Sequence, residues 1–134
     1  MKLPKNFFNL VRVILAISLA GVVAGINLPL STLTLKSWGI SSSIIGLAAS
    51  MMGLSAAVTT PFLPRMVNRF GQITVLRISL VTLPLAILAL PLFQNLYAWF
   101  LFRFIIGLAA TIIWVLSEIW INSFAEEKNR GRII

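Results

Sequence analysis

The chain has 134 residues, of which 59% are hydrophobic and 10% are charged, with a net charge of +8 and a mean hydropathy of +1.00. Soluble domains carry about a quarter charged residues, so this composition indicates an integral membrane protein. Nucleic-acid binding is disfavoured because the cations are spread through the connections between apolar segments and do not cluster on one solvated face. The lack of cysteine and histidine removes thiolate and imidazole chemistry, and glutamate is the only acidic residue type. We therefore predict no enzymatic activity, no metal site and no cofactor.

The first apolar segment follows a basic N-terminus and has no charge over residues 13–35. It is long enough to cross about 30 Å of hydrocarbon as a helix. A secretory signal has a shorter apolar region of about 7 to 15 residues. We therefore predict a membrane span at about residues 11–35, with cleavage after the small residues at 20–25 as the alternative.

Two features inside this span bear on packing and function. Gly21 and Gly25 form a GxxxG pattern, which allows close approach of another helix in lipid but is also common in membrane helices generally. Asn27 places an amide near the middle of the membrane, beside the helix irregularity expected at Pro29. A polar group at that depth indicates either a water-filled cavity or a hydrogen bond between helices.

The second span is predicted at about residues 43–63, after a short connection in which Trp38 is expected to anchor at the membrane interface. Small residues recur along one face of this span at three- and four-residue spacing. They are Gly46, Ser50, Gly53 and Ala57. We expect this stripe to pack tightly against a neighbouring helix.

A short basic loop is predicted at residues 64–72, between the second span and a third span at about 73–93. A fourth span is predicted at about 96–121. The cations expected on the side of this loop are Lys2, Lys5, Arg12, Arg65, Arg69, Arg77, Lys128, Arg130 and Arg132, against Lys36 alone on the other side. The positive-inside rule therefore places the loop and both termini in the cytoplasm.

The fourth span holds Arg103 about two turns from its outer end, where an arginine costs up to about 3 kcal/mol. At about 100° per residue, several polar, small or aromatic residues fall near one line on this helix. They are Arg103, Gly107, Ala110, Trp114 and Ser117. We interpret this line as a face that lines a cavity; the alternative is that Arg103 extends to the outer headgroups.

Glu118 lies about 22 Å along the helix from Arg103, so these two residues cannot pair with each other. It is level with Arg65 and Arg69 at the cytoplasmic end. We predict an ion pair there that holds one conformation, with a solvated interfacial glutamate as the alternative.

The order of these features resembles the major facilitator superfamily of secondary transporters. Asn68, Arg69 and Gly71 occupy central positions of the family's motif between helices two and three. Pro64 and Gln72 stand where the family has glycine and a basic residue, and Asn68 stands where it has aspartate. In the fourth span, Arg103 followed by Gly107 is similar to a second family pattern, and residues 129–132, NRGR, resemble the connection to a fifth helix.

The resemblance implies an all-α membrane protein with four transmembrane helices, the N-terminal part of a twelve-helix fold of two six-helix halves. It implies that the first and fourth helices line a central cavity. Asn27, Arg103 and Trp114 are then candidates for contact with the substrate or a coupling proton. The implied partners are the lipid bilayer, a small organic solute, and the remaining helices or another copy of the chain.

We therefore expect transmembrane transport of a small organic solute by proton-coupled alternating access in a bacterial-type inner membrane, with this chain as a truncated N-terminal portion. The alternative is a self-contained four-helix protein that acts as a homo-oligomer, or a non-functional remnant. A compact drug exporter needs a carboxylate within the membrane, and no acidic residue precedes Glu118.

Overall fold

The computed structural model describes residues 5–130, and the side chains of residues 7–123. Within that part of the chain there are four long α-helices and no strand. The helices are α1 (Lys5–Ser37), α2 (Ser42–Phe70), α3 (Gln72–Ala89), which continues into a 3₁₀ turn (Leu90–Leu92), and α4 (Leu96–Arg130). Each is long and apolar enough to cross a membrane. The predicted all-α class with four membrane-spanning helices is confirmed.

Helix α4 forms the centre of the bundle. The buried share of the most apolar window of each helix rises from 0% in α1 to 44% in α4. Helix α4 packs mainly against α2 and α3, and less against α1. The only buried residues of α1 among those described are Ser31 and Leu35, near its C-terminal end. The rest of α1 therefore leaves much of its surface open, as expected of helices that face lipid or further protein.

The two ends of the bundle are closed differently. At one end, here called the Trp38 end, lie the connection from α1 to α2 and the connection from α3 to α4. The Trp38 ring packs edge-to-face on Trp99 of α4, with ring centroids 5.2 Å apart. Trp99 is held in turn by a 2.9 Å hydrogen bond from its Nε1 to the Phe93 carbonyl. This pair of rings therefore holds the α1–α2 connection and the α3–α4 connection against the core.

At the opposite end of the bundle, here called the Gly71 end, one prediction is wrong. Residues 64–72 are not a loop: α2 continues to Phe70, and α3 begins at Gln72. Pro64 removes one backbone donor but does not end the helix, as is common in membrane helices. The helix ends at Gly71, which has φ 86° and ψ 145° and donates its N–H to the Val67 carbonyl at 2.9 Å. A side chain disfavours that conformation, so this glycine makes a one-residue turn feasible.

The predicted small-residue stripe of α2 also differs from the structure. Its members are exposed, and a β-carbon added at Gly46 or Gly53 would meet nothing within 4 Å. Helix α2 instead buries Ala48, Ser55 and Thr59. Small residues occur on more than one face of α2, and spacing alone could not show which face α4 would cover.

Candidate functional site

Arg103 is the most unusual buried residue of the bundle. Only 1% of it is exposed, and it is the largest fully buried side chain. Its Nη1 lies 3.7 Å from the Met52 Sδ, a weak acceptor, and its buried Nε has no hydrogen-bond partner. Among the side chains that the structure describes, no carboxylate pairs with it. The site is therefore a buried cation with no counter-anion among the described side chains.

The helix crossing beside Arg103 explains how it becomes buried. Gly107, one turn further along α4, lies directly on the α2 backbone. A β-carbon at Gly107 would stand 2.8 Å from the Met52 Cα and would collide with the Ser55 hydroxyl. Two helices can approach this closely only where a side chain is missing. The close contact between α2 and α4 excludes solvent from Arg103.

The predicted polar line along α4 is not a single cavity-lining face in this structure. Arg103 and Gly107 are covered by α2, whereas Trp114 is 63% exposed. Ser117 is buried again but lines a separate cavity between α1, α3 and α4. Residues on one line of α4 therefore have different surroundings, because α2 and α3 both pack on this helix and neither covers the whole line.

Asn27 lies on α1, whereas Arg103 lies beside the contact between α2 and α4. Asn27 is half-buried and accepts a 3.4 Å hydrogen bond from the Ser31 hydroxyl through its Oδ1. It lines a cavity of about 300 Å³ at the Trp38 end, together with Gln94 and Trp99 but not Arg103. The cavity wall agrees with the first alternative given for Asn27, whereas the described hydrogen bond lies within α1 and does not join two helices.

The residues of the loop motif lie on the surface. Asn68 and Arg69 are exposed in the last turn of α2, and Gly71 forms the turn itself. The Arg69 guanidinium stacks over the Phe70 ring, 5.5 Å from its centroid. In this part of the chain the motif therefore sets the geometry of the α2–α3 turn.

The predicted ion pair of Glu118 is not formed in this structure. Glu118, Arg65 and Arg69 are all exposed, and no bond joins the glutamate to either arginine. The Arg65 guanidinium lies over the Phe62 ring, 5.7 Å from its centroid. The pairing stays a prediction for another conformation.

Sequence reasoning missed the α2 residues that surround Arg103. Met52 supplies its contact atom, and Ser55 supplies the surface on which Gly107 rests. Ala48, Ser55 and Thr59 lie on one helical face, and their spacing could have indicated the contact of α2 with α4. The stripe of Gly46, Ser50, Gly53 and Ala57 has a more regular spacing, so it is the predicted packing face, but it is exposed.

Comparisons with known proteins agree with this architecture. The sequence profile of the Major Facilitator Superfamily matches residues 13–134. The chain is also similar to an uncharacterized MFS-type transporter, YfkF, of Bacillus subtilis (strain 168), with 24% identity over 125 residues. That match covers 93% of this chain but 32% of the relative, so the chain spans about a third of its length. No solved structure matches significantly.

Proposed function

Because the chain belongs to the major facilitator superfamily of transmembrane transporters, we propose that it is the N-terminal four-helix portion of a proton-coupled transporter for a small organic solute. The complete protein works by alternating access in a bacterial-type inner membrane, with the N-terminus and the Gly71 end in the cytoplasm. We assign Asn27, Arg103 and Trp114 to the substrate or proton pathway. Glu118 is assigned to a gating contact with Arg65 or Arg69.

The observation that carries this proposal is the buried and unpaired Arg103. A cation held in the membrane without a counter-anion costs free energy and is retained where it serves a function. Its free Nε can donate to a substrate carboxylate, to a titratable acid on another helix, or to water in a transport pathway. The exposed Trp114 and the half-buried Asn27 supply surfaces that the remaining helices of a complete transporter would enclose.

The first experiment is to size the natural product by immunoblot with a tag inserted near the N-terminus. The 125 matched residues are 32% of the relative, which gives that protein about 390 residues. A natural product of similar size supports the proposal. A product that ends at Ile134 contradicts it.

The second experiment measures transport by that longer product in proteoliposomes that contain a trapped pH-sensitive dye. Organic cations, amino acids and sugars are added in turn, and we expect one class to drive proton movement. Arg103→Met should then reduce the rate at least about tenfold, by analogy with the loss of one preorganised charge in other sites. The matched control, Lys36→Met, removes an exposed cation that is assigned neither to the pathway nor to the gating contact, and should retain most of the rate. A normal rate in Arg103→Met would contradict the assigned role.

A specific observation favours the alternative of a self-contained homo-oligomer. The small-residue stripe of α2 is exposed, and so are Gly21 and Gly25 of α1, so both helices offer surfaces on which another helix can pack. If the natural product ends at Ile134, cross-linking in native membranes should give a defined oligomer. Gly53→Leu should then abolish that oligomer. A monomer in both the unmodified chain and the Gly53→Leu variant would leave the non-functional remnant as the better account.

A further inference from the structure

A groove runs between α1 and α3, which scarcely touch each other. At the Gly71 end it opens into a cavity of about 400 Å³ whose floor is formed by α4. A second cavity of about 260 Å³ continues from it towards the middle of the bundle. The two share Ala16 and Leu80 as wall residues, so they form one groove.

The groove has the length and the surface of a lipid-chain site. On α1 its lining extends from Asn9 to Val23, a rise of about 21 Å; the part from Arg12 to Val23 rises about 16 Å, close to half of the 30 Å hydrocarbon thickness. The second cavity is lined entirely by aliphatic residues and Pro84. Its walls therefore match an acyl chain in one leaflet.

The charged groups lie at one end of this groove. Arg12 and Arg77 line the first cavity from opposite helices, and no acidic residue lines it. Gln72 also lines it, and its buried Nε2 has no hydrogen-bond partner. Ser117, only 4% exposed, forms part of the floor without a hydrogen bond of its own. Two cations and two unused polar groups thus face one space.

We propose that this groove binds an anionic phospholipid of the leaflet at the Gly71 end. The lipid phosphate lies between Arg12 and Arg77 and accepts a hydrogen bond from Gln72, while one acyl chain follows the aliphatic walls past Ala16 and Leu80. Basic pockets between transmembrane helices on the cytoplasmic side commonly hold such headgroups. The site is distinct from Arg103 and independent of any transported solute.

The test uses native mass spectrometry of the detergent-solubilised chain with equal amounts of phosphatidylglycerol and phosphatidylcholine that carry identical acyl chains. Each cation near a membrane surface favours an anionic lipid about fivefold, so two should give roughly a 30-fold preference for phosphatidylglycerol. Equal retention of the two lipids by the unmodified chain would overturn the proposal without any variant. An excess of glycerol phosphate should not displace the lipid; displacement would mean that the site binds a free anion.

Matched variants separate this groove from general surface charge. Arg12→Gln combined with Arg77→Gln should lower the preference to near one. Arg65→Gln combined with Arg69→Gln removes the same charge at the same end of the bundle but outside the groove, and should leave the preference unchanged. An equal loss in both pairs would assign the effect to net charge and reject the site.

A further variant tests the apolar part of the groove. Ala16→Phe fills the shared wall and should reduce the retention of both lipids while both arginines remain. Unchanged retention would show that no acyl chain occupies the groove.

The helical content of every variant is measured by circular dichroism to show that it is folded. The mass-spectrometric assay is then carried out on the natural product, whatever its length. If that product shows no preference for phosphatidylglycerol, another segment fills the groove and the proposal is overturned.

Discussion

Gly107 of α4 lies so close to Met52 of α2 that a β-carbon at residue 107 would stand 2.8 Å from the Met52 Cα. This contact holds α2 and α4 together beside the buried Arg103. In lipid, helices associate through packing and hydrogen bonds and gain little from apolar burial. The stability of the bundle should therefore depend strongly on this one crossing.

Gly107→Val should destabilise the bundle by about 1–3 kcal/mol or more, because the added carbons must push the α2 backbone away. The matched control is Gly53→Ala, since nothing lies within 4 Å of a β-carbon there. That control should change stability by no more than about 1 kcal/mol, in the stabilising direction. Unfolding by sodium dodecyl sulfate in mixed micelles, followed by tryptophan fluorescence, measures both. Equal effects at the two glycines would contradict the importance of the crossing.

Arg103→Met should stabilise the isolated four-helix chain by about 1–3 kcal/mol. The substitution removes a buried charge whose only hydrogen-bond contact is the Met52 sulfur, and it retains most of the apolar volume. Arg65→Met, at an exposed position, should change stability by less than about 0.5 kcal/mol. The same unfolding assay applies. If Arg103→Met instead lowered the free energy of unfolding by as much as the truncation of a core side chain does, Arg103 would have a stabilising role.

The Trp38–Trp99 contact predicts a graded series at the Trp38 end of the bundle. Trp99→Phe keeps an aromatic ring but removes the hydrogen bond to the Phe93 carbonyl, at a cost of about 1 kcal/mol. Trp99→Ala also removes a side chain that is only 3% exposed, at a cost of about 3–5 kcal/mol. A double-mutant cycle with Trp38→Ala should give a coupling of about 0.5–1.5 kcal/mol. Zero coupling would show that the ring contact contributes nothing.

The proposed orientation can be tested by cysteine labelling of this chain, because its 134 residues contain no cysteine. Single cysteines are introduced at Asn68, near the Gly71 end, and at Ser41, near the Trp38 end; both positions are exposed. In intact cells a membrane-impermeant maleimide should label the Ser41→Cys variant and not the Asn68→Cys variant. The reverse pattern would contradict the distribution of cations as a guide to topology.

Much of the architecture could be predicted because the bilayer imposes it. A helix satisfies its own backbone hydrogen bonds in lipid, so uncharged segments of sufficient length specify four spanning helices. The sequence also identified Arg103 as a charge whose placement in the membrane costs free energy, and Gly107 as its neighbour on one face of α4. The ends of helices were less predictable: Pro64 was expected to begin a loop, but α2 continues to Phe70, and the positive-φ Gly71 alone makes the turn into α3.

Helix packing was the part that spacing could not determine. The stripe that contains Gly46 and Gly53 is as regular as a packing surface should be, yet it is exposed, and α4 covers Ser55 and Met52 instead. Small residues permit close approach on any face where they occur. The choice among those faces depends on the crossing angle and on which partner helix is present.

Sequence alone determined the membrane class, the four helices of the described residues and the family, because hydrophobic length and local motifs are properties of one segment at a time. Only the tertiary structure decided that Arg103 lies against Met52 with no carboxylate partner among the described side chains, that Trp114 is exposed, and that Arg12 and Arg77 face one groove. Those relationships join helices far apart in the chain. They arise from which faces of separate helices pack together, and no single segment encodes that choice.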